Sequence, residues 1–132
     1  MKKILLFTLF LMASIPMVSA QKEQFITVRE DSARKEIVVT ANESPFTVFI
    51  YPDNLEKPTL YPIFAGNGEV ITRGFPLAPR PDEPTDHPHH IGLWMNYESV
   101  NGLDFWNNSS AIQEVKKNKY GWIKTTAISE TK

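Results

Sequence analysis

The sequence contains no cysteine in its 132 residues. This absence excludes thiol chemistry, disulfide bonds and cysteine-ligated zinc. The chain also lacks an excess of either charge, because 14 Lys and Arg residues stand against 15 Asp and Glu residues. Without a basic stripe on its surface, we expect the protein to bind neither nucleic acid nor anionic lipid.

Only one long apolar run is present, and it lies at the amino terminus behind two lysines. The small residues Val18 and Ala20 occupy the positions that a signal peptidase inspects. The run is shorter than the roughly 20 residues that span a bilayer. We therefore interpret residues 1–20 as a signal peptide and residues 21–132 as one domain. We expect a periplasmic or secreted protein that has no membrane segment after cleavage.

The domain consists of short β-rich runs divided by turns. Residues 25–29 and 36–40 predict a hairpin. The uncharged run at residues 46–51 predicts a strand buried on both faces. Residues 59–64 and 69–72 predict a second hairpin through residues 66–68. Residues 91–97 are a further strand candidate, residues 100–106 are rich in aromatic side chains, and residues 111–116 and 120–128 predict a last hairpin. This pattern predicts an all-β fold, an antiparallel β-sandwich that is incomplete because no element closes the last hairpin.

Five prolines fall within residues 74–90 and interrupt the strand pattern. Each proline lacks a backbone donor and restricts the residue before it to extended geometry. We therefore predict a stiff surface loop. A loop of this length in a compact domain is usually functional or disordered, and the prolines favour an ordered, functional loop.

All three histidines of the chain, together with one aspartate, lie at the end of this loop, at Asp86, His87, His89 and His90. In an extended segment, His87 and His89 share one face. Three interpretations remain open. The imidazoles could bind a divalent metal through His87 and His89, with copper or zinc as the candidate ions. They could act as catalytic acid/base groups with Asp86. They could also simply hold the loop against the sheet.

Aromatic rings and polar side chains are interleaved just after the histidines. Trp94 and Trp106 lie near Asn101 and Asp104 in sequence. Flat rings stack on sugar faces, and amides and carboxylates bind hydroxyl groups. We therefore list these four residues as candidate ligand-binding residues, although a tryptophan in a strand more often belongs to the core.

Three blocks, residues 72–76, 86–94 and 100–106, resemble the PmoA-like family of secreted bacterial proteins, which often carry a methane oxygenase label. The resemblance implies a β-sandwich, a link to polysaccharide-degrading bacteria, and a chain that is the amino-terminal part of a longer domain. It also adds Arg73, in the first block, to the candidate ligand-binding residues.

These observations give three hypotheses for the function. The first is an exported protein that acts on carbohydrate through the histidines, Asp86 and the tryptophans. The second is a non-catalytic module that binds a glycan or interacts through the same aromatic rings. The third is a copper or zinc site related to the methane oxygenase label. A small molecule or glycan is the expected partner, and the sequence does not identify the cofactor beyond that possible divalent metal.

Overall fold

The structure is a computed structural model and describes residues 24–129. The predicted signal peptide at residues 1–20 lies outside the described residues. Within the described range, no helix has the length and apolar character needed to cross a membrane.

Two antiparallel sheets form the framework. The first has four strands in the order β1-β2-β3-β4, and the second pairs the short strands β5 and β6. One 3₁₀ helix, Glu114–Lys119, follows them. The predicted all-β, antiparallel fold class is confirmed. The strands are β1 (Ile26–Asp31), β2 (Glu36–Ala41), β3 (Ser44–Ile50), β4 (Thr59–Ile63), β5 (Ser99–Val100) and β6 (Leu103–Asp104).

The turns explain why the first three strands pair with their neighbours in sequence. Asn42 and Glu43 both adopt positive φ angles, 49° and 67°, between β2 and β3. Two consecutive residues with positive φ match the twist of a tight antiparallel hairpin. Before β2, the backbone N–H of Arg34 donates to the Asp31 carboxylate at 3.1 Å, which closes the β1–β2 turn. The predicted first hairpin is therefore present.

Strand β3 is less buried than its sequence predicts. Only Thr47 is buried in this strand, and Phe46 is 46% exposed. The prediction that residues 46–51 are buried on both faces is therefore wrong. The reason is that the described elements form only a small core, in which Ile91 is the buried hydrophobic residue.

The end of the proline-rich loop is fixed to the edge strand β4. Leu60 and Leu93 exchange two backbone hydrogen bonds, at 2.9 and 3.0 Å. The Thr59 hydroxyl donates to the Ile91 carbonyl at 2.6 Å. Residues 91–97 thus form a single bridge where the sequence predicts a strand. Gly92, at φ 57°, provides the left-handed backbone conformation that brings residues 91–93 close to β4.

The prediction of a carboxyl-terminal hairpin is also wrong. Its first arm and turn include the 3₁₀ helix, and residues 121–129 contain no strand. Tyr120 forms an isolated parallel bridge with Asp104, and the Ile123 N–H donates to the Glu56 carbonyl at 2.9 Å. Backbone contacts with distant residues therefore replace the local pairing that the β-rich composition suggested.

We expect the variant Gly92→Ala to be destabilised by at least about 1 kcal/mol, because alanine is strained at positive φ. A β-carbon at Gly92 would also lie 2.4 Å from the Leu60 carbonyl oxygen. Urea denaturation measures the change. Gly66→Ala is the matched control, because a β-carbon there has no neighbour within 4 Å. Equal stability of the two variants would contradict the close approach at Gly92.

Candidate functional site

The three histidines lie in a turn, and their rings form one cluster. His87 adopts φ 47°, and the His90 N–H donates to the His87 carbonyl at 2.9 Å. The segment is therefore not extended, and the alternation that an extended segment would give His87 and His89 does not apply. Ring centroids are 5.7 Å apart for His87 and His89, 5.0 Å for His87 and His90, and 4.3 Å for His89 and His90. The turn thus brings together all three imidazoles, where an extended segment would pair only two.

Asp86 lies against the first imidazole and is itself held by Arg73. The distance from Asp86 Oδ2 to His87 Nδ1 is 2.7 Å, and that from Asp86 Oδ1 to Arg73 Nη2 is 3.1 Å. The hydrogen bond with His87 is the main reason that the pKa of Asp86 lies below its usual value. A carboxylate on Nδ1 favours the tautomer protonated there, which leaves Nε2 of His87 as the nitrogen able to accept a proton.

Arg73 also closes the base of the proline-rich loop. Its Nη2 donates to the Pro84 carbonyl at 2.6 Å. Across the same loop, the carboxylate of Glu83 accepts the backbone N–H groups of Gly74 and Phe75, at 2.7 and 2.8 Å. These contacts join the start of the loop, at residues 73–75, to residues 83–86. The order that the prolines predict therefore has a physical basis in paired polar groups.

Two tryptophans extend the histidine cluster. The Trp94 ring centroid lies 5.5 Å from that of His90 and 5.9 Å from that of Trp106. Trp106 is 42% exposed. Beside it is a cavity of about 480 Å³ lined by Asn96, Tyr97, Glu98, Trp106 and Asn107. The structure therefore joins the imidazoles, through Trp94, to an open cleft with aromatic and polar walls.

The two remaining candidates have different surroundings. The Asp104 carboxylate accepts the backbone N–H and the side-chain amide of Asn107, at 2.9 and 2.8 Å. Burial opposes ionisation of Asp104, but these hydrogen bonds keep its pKa below the usual value. Asn101 lies in the turn between β5 and β6, at φ 54°, and is exposed. In the described part of the chain, no hydrogen bond connects Asn101 with the cluster.

Sequence reasoning missed Lys57, which is only 1% exposed. Its Nζ donates to the carbonyls of Trp106 and Asn108, at 2.8 and 3.1 Å, and lies 5.3 Å from the Trp94 ring centroid. Burial lowers the pKa of Lys57 to about 8. The residue precedes β4, far from the histidines in sequence, and no motif marks it.

Two further observations limit the choice of site. Among residues 24–129, no group of three or more His, Asp or Glu side chains is arranged to hold a metal ion. A larger cavity, of about 640 Å³, lies between the β2–β3 turn and residues 64–68, but none of its lining residues is charged. We therefore place the candidate site at the histidines and Trp106.

The sequence model of DUF6807, a family of unknown function, matches residues 36–132. This finding corrects the resemblance to the PmoA-like family, because nothing in the comparisons connects the chain to that family. The three sequence blocks are real, but they do not support that assignment or its methane oxygenase label. No curated protein and no solved structure matches the chain significantly.

We expect His89 and His90 to titrate below 6.5, because burial lowers the pKa of both imidazoles. The unfolded chain then binds more protons than the folded chain as the pH falls through 6.5, so the free energy of unfolding decreases below that pH. Histidine NMR titration, with the urea-unfolded protein as reference, measures the shifts. Midpoints at or above the reference values would contradict the burial of these rings.

Proposed function

The chain belongs to the DUF6807 family, whose function is unknown, and we propose from its own residues that it binds a carbohydrate and acts on it with the Asp86–His87 pair. The observation that carries the proposal is the continuity between this pair, the clustered imidazoles and the exposed ring of Trp106. The proposal includes export of the protein, which the signal-like residues 1–20 predict.

Trp106 and the adjoining cleft support the binding part of the proposal. A half-exposed indole offers a flat apolar surface to the carbon face of a sugar ring. Tyr97 is 71% exposed on the same cleft, and Glu98 adds a carboxylate that can accept hydroxyl groups. The combination of an aromatic surface and a few polar groups is typical of sites for small polar ligands.

The Asp86–His87 pair supports the catalytic part of the proposal. Asp86 orients the ring through Nδ1, and Arg73 fixes Asp86 in turn. Nε2 of His87 can then accept a proton from a ligand hydroxyl or water and return it. His89 and His90, whose pKa values are lowered by burial, stay neutral near pH 7 and can hydrogen-bond hydroxyl groups.

The non-catalytic alternative also has an observation in its favour. The three imidazole rings pack on one another, with His87 and His90 stacked at an interplanar angle of 17°. Such packing can brace the loop without any chemistry. If the imidazoles only brace the loop, the protein binds the glycan through Trp106 and catalyses no reaction.

We expect Trp106→Ala to weaken saccharide binding at least about tenfold, the effect of removing a principal aromatic contact. Isothermal calorimetry with a panel of oligosaccharides measures the affinity. Trp122→Ala is the matched control, because Trp122 is also partly exposed, at 37%, and lies outside the cleft. Equal effects of the two substitutions, or no saccharide binding by the parent protein, would refute the proposed binding site.

We expect His87→Ala to lower turnover by about 100-fold or more, the usual contribution of a general acid/base. The double variant with His89→Ala should still fold, within about 1 kcal/mol of the parent. Turnover by the parent should vary with pH where imidazoles titrate, about pH 5–8. Binding without turnover would favour the non-catalytic alternative, and unfolding of the double variant would assign both histidines a structural role.

A further inference from the structure

Lys57 places a buried positive charge beside the proposed site without an ion-pair partner. Its Nζ contacts two backbone carbonyls and the face of Trp94. Within the described residues, no carboxylate lies within 4.0 Å of this ammonium group. Buried charges in proteins are usually paired, because their removal from water is costly. The charge of Lys57 therefore lacks a compensating anion at close range.

Two acids compensate this charge from beyond ion-pair distance. Glu56 and Asp104 act on Lys57 electrostatically and favour its charged form. The carboxylate of Asp104, however, is engaged by Asn107. Because the pKa of Lys57, about 8, still lies above neutral pH, most of the ammonium stays protonated there.

Positively charged groups influence the pKa values of His89 and His90. Apart from burial, Lys57 influences the pKa of His89 more strongly than Asp104 does, so the repulsion from this ammonium outweighs the attraction of that carboxylate. At His90, the repulsions from Arg73 and from Lys57 each outrank the attraction of Asp86. Asp86 already pairs with Arg73. A ligand that approaches these rings therefore enters a region that favours negative charge.

We propose that the ligand of this site carries an anionic group, a carboxylate or a sulfate, and that the buried Lys57 ammonium selects for it. The inference rests on the proposed carbohydrate function and specifies its substrate class as an acidic saccharide. The N–H groups of His89 and His90 donate to the anionic group directly. Lys57 acts through its electric field, because it is 1% exposed and does not reach the ligand.

The first test uses the unaltered protein and matched saccharide pairs. Galacturonate oligomers and sulfated galactose oligomers are compared with neutral galactose oligomers of the same length. We expect one acidic series to bind at least about tenfold more tightly, as for a hydrogen bond to a charged group. Added salt should weaken the preference only slightly, because Lys57 is buried and salt screens buried charges much less than exposed ones. Which series binds distinguishes carboxylate from sulfate recognition.

The second test removes the charge of Lys57. Lys57→Met should reduce the preference for acidic over neutral saccharides, whereas Lys57→Arg should keep the preference. Lys124→Met is the matched control, because Lys124 also donates to two backbone carbonyls, of Asp53 and Leu55, and lies 4.4 Å from the Trp122 ring centroid. If Lys57→Met does not fold, the comparison of saccharides in the parent protein and its salt dependence still decide whether the site prefers acidic saccharides.

The outcomes separate this inference from the proposed function. Equal binding of neutral and acidic saccharides overturns the selectivity and leaves the carbohydrate function standing. Shifts of the histidine NMR signals by acetate or sulfate, without binding of any saccharide, support the anion site and refute the carbohydrate function. If neither saccharides nor these anions bind, the inference and the proposed function both fail.

Discussion

The attachment of Leu93 to the edge strand β4 is the interaction on which the candidate site depends. The two backbone hydrogen bonds between Leu60 and Leu93 contribute about 1 kcal/mol each, and the Thr59 hydroxyl adds bonds to the carbonyls on either side of Gly92. Together they fix the chain between the histidine turn and Trp94. Without this attachment, a loop with few buried apolar contacts would have no fixed position relative to the tryptophans.

Local sequence patterns predicted the part of the fold that local interactions determine. The β1–β2 hairpin could be predicted because its β-rich arms flank a short polar turn closed by Asp31. The order of the proline-rich loop could be predicted because proline restricts the backbone whatever surrounds it. The clustering of the histidines was also visible in the sequence, but their geometry was not, because the positive φ of His87 depends on the turn that the whole loop imposes.

Contacts between distant residues account for what the sequence did not reveal. Lys57 lies 49 residues from Trp106 in sequence, and an isolated lysine normally belongs to the solvated surface. The carboxyl-terminal segment has the β propensity of a hairpin, yet Ile123 donates to Glu56, across the molecule. Arg73 and Asp86 entered the list of candidates for separate reasons, and only the structure shows that they form one ion pair.

Burial, more than charge pairing, sets the ionisation of three basic groups in the site. It lowers the pKa of Lys57, His89 and His90, and in each case it is the largest single cause. The consequences differ because the starting values differ. At neutral pH the two imidazoles become more completely neutral, whereas the ammonium keeps most of its charge. Burial thus leaves two neutral hydrogen-bonding rings and one cation in the same site, an arrangement suited to a ligand that has both hydroxyl groups and a negative charge.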